Sequence, residues 1–133
     1  MHRGQCLCGE VVYEIHGDLG GIEFCHCSQC RRASGTAFAS NMNVEAASFR
    51  LVQGEAALKA YESSPGKERV FCAICGSPII SRLMADPSVV RIRVGTLDEP
   101  VAAKPAFDFH TASKASWWEI ATGLPSYPGP RPR

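Results

Sequence analysis

The spacing of seven cysteines is the feature that most constrains this chain of 133 residues. The cysteines fall into three short groups with spacings typical of metal ligands: Cys6 and Cys8 (C-x-C), Cys25, Cys27 and Cys30 (C-x-C-x-x-C), and Cys72 and Cys75 (C-x-x-C). Seven is an odd number, and the N-terminus lacks the apolar stretch of an export signal. Clustered thiols in such a chain indicate bound metal rather than a disulfide framework.

Two of the three groups are doublets, and together they predict one closed zinc site. Structural zinc is almost always held by four ligands in a tetrahedron, which Cys6, Cys8, Cys72 and Cys75 would supply. Gly9 and Gly76 follow the doublets, as expected for tight turns whose last residue has a positive φ. Closing a loop of more than sixty residues in this way would contribute metal-binding free energy to folding.

The triplet Cys25, Cys27 and Cys30 then remains as a three-ligand site with one open position, which is the pattern of a catalytic zinc. His26 lies inside the triplet, but neighbouring side chains of an extended segment point to opposite faces. We therefore expect His26 to pack behind the ligands, whereas nothing in the spacing excludes the distant His110 as a fourth ligand.

A different division of the cysteines is also compatible with the spacing. Cys27 and Cys30 could combine with Cys72 and Cys75 as a zinc ribbon. Cys6, Cys8 and Cys25 would then form the three-ligand site. The sequence alone leaves both divisions open.

Arg31 and Arg32 directly follow the triplet and are candidate ligand-binding residues. Their charges could offset a trithiolate zinc or bind a substrate carboxylate. Adjacent residues on a helix do not share a face, so both side chains could equally be solvated.

Charge and hydropathy exclude several classes of protein. The formal net charge is only +1, which argues against a dedicated nucleic-acid surface. Seven thiolates on two zinc ions would remove even this small excess. No apolar run is long enough to cross a bilayer, so the sequence predicts a soluble, cytoplasmic protein with no membrane contact.

Short alternating segments predict a mostly β fold with little helix. Val11–His16 and Val90–Val94 each alternate apolar and polar residues, as in a strand with one buried face. Further strands are predicted at residues 22–25, 38–41, 48–52, 58–61, 69–72 and 78–83. Helix is expected only in short turns capped by Ser28 and Ser113, although the composition of residues 55–61 also allows helix.

The length of the chain fits a single domain, for which we expect residues 1–123. Residues 124–133, LPSYPGPRPR, contain four prolines and a glycine, which preclude regular structure. We call this segment the tail and expect it to be extended or frayed.

Several strings in the sequence resemble those of one enzyme family. GQCLCGEVVYEI, CHCSQCRRASG, RVFCAICGSPI and VGTLDEP occur in this order, with Trp117 near the end. Together they make the chain similar to the glutathione-dependent formaldehyde-activating enzymes over nearly its whole length. The most specific part is the combination of C-x-C-G, C-H-C-x-x-C and F-C-x-x-C-G.

The resemblance implies a mostly antiparallel single-domain fold of the β-tent (Mss4-like) type with two zinc ions. It assigns Cys6, Cys8, Cys72 and Cys75 to a structural site and Cys25, Cys27 and Cys30 to the active one. It further implies a carbon–sulfur lyase that adds glutathione, or a similar thiol, reversibly to formaldehyde or another small aldehyde. A non-catalytic zinc module that binds protein or nucleic acid, and a redox sensor that releases zinc on oxidation, are the competing hypotheses.

Overall fold

A computed structural model describes residues 1–132 as two β-sheets and one short α-helix. The smaller sheet is antiparallel, has the strand order β1-β2-β5 and is built from β1 (His2–Gln5), β2 (Val12–Ile15) and β5 (Phe49–Gln53). The larger sheet has the strand order β10-β3-β4-β9-β8-β7-β6. Its strands are β3 (Ile22–Cys25), β4 (Ala39–Glu45), β6 (Leu58–Ser64), β7 (Lys67–Cys72), β8 (Pro78–Leu83), β9 (Asp86–Arg93) and β10 (Pro105–Phe109).

The mostly β prediction is confirmed, and the sheets are antiparallel apart from one pair. β10 lies parallel to β3, with Phe109 opposite Cys25. No helix within residues 1–132 is long and apolar enough to cross a membrane.

Five of the eight predicted strands are present within one or two residues. The strands β4, β6 and β9 extend three or four residues beyond their predicted bounds, and β1 and β10 were not predicted. The competing helical assignment of residues 55–61 holds only for one turn of 3₁₀ helix, Glu55–Ala57, before β6 begins. Val94 also departs from its predicted strand and starts a 3₁₀ turn.

The main core lies where the two sheets pack against each other. The fully buried side chains Tyr13 and Ile15 of the smaller sheet belong to one apolar cluster with Met42, Ile79 and Ile92 of the larger sheet. The Tyr13 ring also stacks on Phe49, with centroids 5.1 Å apart. A second, smaller cluster joins Cys25 and Cys30 to Ala39 and Phe109.

The only α-helix within residues 1–132 is α1 (Ser28–Ser34). Its N-cap is Cys27 rather than the predicted Ser28, and the Cys27 thiol accepts a hydrogen bond from Cys30 N. The second predicted cap is also displaced, because His110, in the left-handed region with φ +53°, precedes the 3₁₀ turn Thr111–Ser113. A cysteine can cap a helix because its sulfur, like a hydroxyl oxygen, accepts from the first backbone N–H groups.

Candidate metal centres and the cavity beside them

The cysteines of the two doublets meet in one cluster although they lie far apart in the sequence. The sulfur atoms of Cys6, Cys8, Cys72 and Cys75 all lie within 4.8 Å of one another. Cys6 Sγ is 3.6 Å from Cys8 Sγ, and Cys8 Sγ is 3.9 Å from Cys72 Sγ. Zn–S bonds of about 2.3 Å in a tetrahedron place the sulfurs roughly 3.8 Å apart. The four thiols are therefore close enough together to hold a zinc ion.

Two similar backbone turns present these thiols. In the first turn, Gly9 N donates to Cys6 O (3.1 Å), and in the second, Gly76 N donates to Cys72 O (2.7 Å). The φ angles of Gly9 and Gly76 are +80° and +81°, which confirms the predicted need for glycine after each doublet. Ser77 joins the two turns, since its hydroxyl accepts from Leu7 N at 2.9 Å and lies 3.3 Å from Cys75 Sγ.

The triplet forms a second cluster at the junction of β3 and α1. Cys25 ends β3, Cys27 caps α1, and Cys30 lies in the first turn of that helix. Their sulfur atoms also lie within 4.8 Å of one another, and no other His, Cys, Asp or Glu of residues 1–132 joins them. We call this cluster the triad; it offers three sulfur ligands on one side, as an open zinc site requires.

The structure thus brings the cysteines together as four and three, in the division that the doublet spacing predicted. The alternative zinc ribbon is wrong, because Cys27 and Cys30 cluster with Cys25 and not with Cys72 and Cys75. The strand and cap geometry around residue 25 explains this outcome, since it turns Cys25 and Cys27 to one side.

His26 faces away from the triad, as its position in an extended segment predicts. The side chain is fully buried, and its Nε2 donates to Asp108 Oδ1 at 2.7 Å. Asp108 Oδ2 accepts from Thr122 Oγ1, also at 2.7 Å. His26 therefore ties the ligand-bearing segment to β10 from behind.

His110 lies on the open side of the triad, although it is not part of the cluster. It lines a cavity of about 260 Å³ together with all three triad cysteines. Phe109, Asn41 and Leu83 complete much of the wall. The cavity therefore borders all three cysteines, of which Cys27 is the most exposed.

Basic side chains from three separate parts of the chain surround this cavity. Lys67 at the start of β7, Arg91 on β9 and Arg131 in the tail line it directly. Arg69 approaches the triad from β7, with its Nη2 3.9 Å from Cys30 Sγ. Burial lowers the pKa of both Lys67 and Arg91. The positive charge of Arg69 lowers the pKa of Lys67 further, and that of Arg131 lowers the pKa of Arg91 further.

The pKa values of two triad thiols, Cys30 and Cys25, are shifted in opposite directions. Hydrogen bonds from Cys25 and Cys27 hold the pKa of Cys30 well below its usual range, and the charges of Arg69 and Lys67 add to this. The pKa of Cys25 is raised because Cys27 and Cys30 take up hydrogen bonds from it and because it is buried. The neighbouring thiols and, to a smaller extent, the charges of Arg69 and Lys67 thus favour a thiolate at Cys30.

Arg31 and Arg32, the two cations nearest the triplet in sequence, are not among the residues that line the cavity. Arg31 is half-buried on α1, and Arg32 is exposed. Sequence reasoning missed Lys67, Arg91 and Arg131, because only the pairing of distant strands brings them to the triad. The alternation of β9 was even misleading, since it placed Arg91 on a solvent face.

Comparison with known proteins adds two findings. A family model described as glutathione-dependent formaldehyde-activating enzyme matches residues 1–113. A solved structure of a protein from Rhodobacter sphaeroides is similar in fold, with a TM-score of 0.63 at 23% identity, covering 78% of this chain and 99% of that one. A search of the curated proteins found no match.

Proposed function

The chain belongs to the glutathione-dependent formaldehyde-activating enzyme family, and on this premise we propose that it adds a thiol reversibly to formaldehyde or another small aldehyde at the triad. The observation that carries the proposal is the three-sulfur cluster that opens into a cavity. Glutathione is the thiol that the family name indicates. The activity proposed is that of a carbon–sulfur lyase.

Cys25, Cys27 and Cys30 would hold one zinc ion, while Cys6, Cys8, Cys72 and Cys75 would hold a structural one. A zinc ion at the triad supplies Lewis acidity, which favours the thiolate form of an incoming thiol near neutral pH. Thiolate is the nucleophilic form of the sulfur.

The reaction balances without an oxidant or a reductant. The thiol loses its proton, and its sulfur forms a bond with the carbonyl carbon. The carbonyl π electrons move to the oxygen, which takes up a proton, so that the product is a hemithioacetal, which for formaldehyde is the S-hydroxymethyl thioether. The reverse sequence releases the thiol and the aldehyde.

The residues of the cavity wall would assist by binding and orienting negative charge. Lys67 and Arg91 line the same cavity as the triad and would stabilise the oxyanion that develops as the C–S bond forms. Donors fixed in a poorly hydrated site stabilise such a charge more than water does. Phe109 and Leu83 supply the apolar part of the wall.

The competing hypothesis of a non-catalytic zinc module predicts a closed second site. Within residues 1–132 the triad has no fourth protein ligand of the His, Cys, Asp or Glu type. A purely structural zinc ion is almost always held by four protein ligands. The three-ligand cluster therefore favours the enzyme.

The test combines metal content with turnover. We expect two zinc ions per chain by elemental analysis and faster exchange between ¹³C-formaldehyde and its glutathione adduct than in buffer alone. Cys27→Ser should abolish this acceleration and reduce the zinc content from two ions per chain to one. Its circular dichroism spectrum should match that of the wild type. Ser28→Ala, on an exposed neighbouring side chain, is the matched control. Acceleration that persists undiminished in Cys27→Ser would refute the proposal.

A further inference from the structure

The tail is bound along β10 by backbone hydrogen bonds. Asp108 N donates to Pro125 O (3.0 Å), Tyr127 N donates to Asp108 O (3.0 Å), and His110 N donates to Gly129 O (2.7 Å). These bonds continue the sheet beyond its β10 edge and fix the direction of the tail. Over residues 125–129 the tail is therefore held against β10 and is not frayed.

This path delivers Arg131 to the mouth of the triad cavity. Arg131 Nε donates to Glu23 Oε1 at 2.8 Å, and its guanidinium carbon lies 5.0 Å from the centre of the Phe109 ring. The Arg131 side chain is only 23% exposed. Because Glu23 lies on β3 two residues before Cys25, the arginine is anchored to the strand that carries the triad.

Positive charge in this cavity exceeds what the described protein groups neutralise. Lys67, Arg91 and Arg131 line it, and of these three cations only Arg131 forms an ion pair within residues 1–132. Arg91 Nε is buried and has no hydrogen-bond partner there. Three thiolates on Zn²⁺ would carry a single formal negative charge, which still leaves an excess of cations. The cavity is thus suited to an anionic ligand.

We propose that the guanidinium Nη groups of Arg131 bind a carboxylate of the thiol substrate, which makes Arg131 a specificity-determining residue for acidic thiols. The inference rests on the proposed function. It also places this specificity in a part of the chain beyond the matched residues 1–113. Arginine suits this task, because its planar fork matches a carboxylate and Glu23 already fixes the orientation of the fork.

The experiment measures thiol binding by calorimetry on the full-length, zinc-loaded protein. Glutathione is compared with its diethyl ester, in which both carboxylates are blocked. Arg131→Ala is expected to raise the Kd of glutathione about tenfold or more and that of the ester less than twofold. Arg50→Ala, which removes an exposed arginine of the smaller sheet, is expected to change neither Kd.

The possible results separate this inference from the function on which it rests. Unchanged glutathione binding in Arg131→Ala, or equal weakening for glutathione and ester, would overturn the specificity role and leave the proposed function standing. Wild-type protein that binds neither thiol would overturn both. If Arg131→Ala loses zinc or unfolds, Arg131→Lys replaces it, because lysine keeps the positive charge but lacks the planar guanidinium. A Kd for glutathione that rises more than the Kd for the ester in Arg131→Lys supports the inference. Equal affinities in Arg131→Lys and wild type would contradict it.

Discussion

At the scale of single residues, Arg69 connects the triad with the rest of the larger sheet. Its Nη2 lies 3.9 Å from Cys30 Sγ, and its Nε donates to Ser63 Oγ at 3.0 Å. A cation held beside a ligand sulfur favours the thiolate and orients it. Arg69 is not among the residues that line the triad cavity, so we assign it a positioning role toward the triad.

Replacing Arg69 with Met should weaken metal binding at the triad and leave the four-cysteine site unchanged. Removing such a supporting group typically lowers metal affinity 10–100-fold, and we expect about tenfold here. Competition with a chromophoric chelator measures both sites. Arg82→Met is the control, because Arg82 pairs with Glu68 on the same sheet and does not line the triad cavity. Equal zinc release from Arg69→Met and wild type would contradict the assignment.

The buried pair of His26 and Asp108 makes a second prediction at this scale. Asp108→Ala leaves His26 Nε2 without its 2.7 Å acceptor in a fully buried position. We expect a loss of about 3 kcal/mol in the free energy of unfolding, since a buried polar group without its partner keeps its desolvation cost. Urea titration of the zinc-loaded protein measures it.

Thr122→Ala is the control for the buried pair. It removes a single hydrogen bond to the same carboxylate from an exposed residue, for which about 1 kcal/mol is expected. A loss in Asp108→Ala no larger than that in Thr122→Ala would contradict the role given to His26.

Individual side chains differ in how far the sequence predicts them. The pairing within each cysteine doublet follows from local spacing, because one turn of backbone already places its two sulfurs together, whereas the sequence leaves open which groups of cysteines meet. The orientation of His26 follows from the alternation of an extended segment. The cations of the cavity cannot be predicted from the sequence in this way. Lys67 and Arg131 lie at the triad because of the long-range pairing of β7 and β10 and the path of the tail along β10.

At the scale of elements, the turns are as informative as the strands. The glycines after the cysteine doublets could be predicted, since their turns recur with a known signature. Gly54, which starts the 3₁₀ turn between β5 and β6, could not be. Its φ is +92°, and a Cβ there would collide with Glu10 O and lie 2.7 Å from Val11 Cα. Only the packing of this turn against the segment before β2 reveals the constraint.

Gly54→Ala is therefore expected to be more destabilising than Gly66→Ala. Both residues have a positive φ, but a Cβ on Gly66 meets no atom within 4 Å. Gly66→Ala should cost about 1 kcal/mol from the backbone conformation alone. Gly54→Ala should cost about 3 kcal/mol, because rigid backbone atoms must also move. Urea midpoints of the two variants, compared with wild type, give the difference, and equal shifts would contradict the packing argument.

The tail shows where prediction from element-level signals ends. Within residues 124–132 its prolines correctly indicated the absence of helix and of a regular strand. They could not indicate that its backbone would accept hydrogen bonds from residues 108–112 and cover the open edge of β10. That outcome depends on a partner strand that lies elsewhere in the sequence, as does most long-range pairing in a β fold. The division between the domain and the tail at residue 123 stays a prediction.

At the scale of the whole molecule, the two cysteine clusters differ in how much of the chain they link. The four-cysteine cluster joins the N-terminal segment before β2 to the turn between β7 and β8, and hence links the two sheets. The triad lies within one local segment, from the end of β3 to the first turn of α1. Loss of metal from the first cluster opens a long loop, whereas loss from the triad opens a short one.

Graded chelation should therefore remove the two zinc ions with different consequences. The triad has three protein ligands and an accessible cavity, so we expect its metal to leave first, with little change in circular dichroism. The four-cysteine site should release its metal only with cooperative unfolding, because binding free energy there is folding free energy. Zinc release and ellipticity are followed together during titration with a chelator. Cys27→Ser should show only the second step. Unfolding that accompanies the first zinc ion would show that the triad, too, holds the fold together.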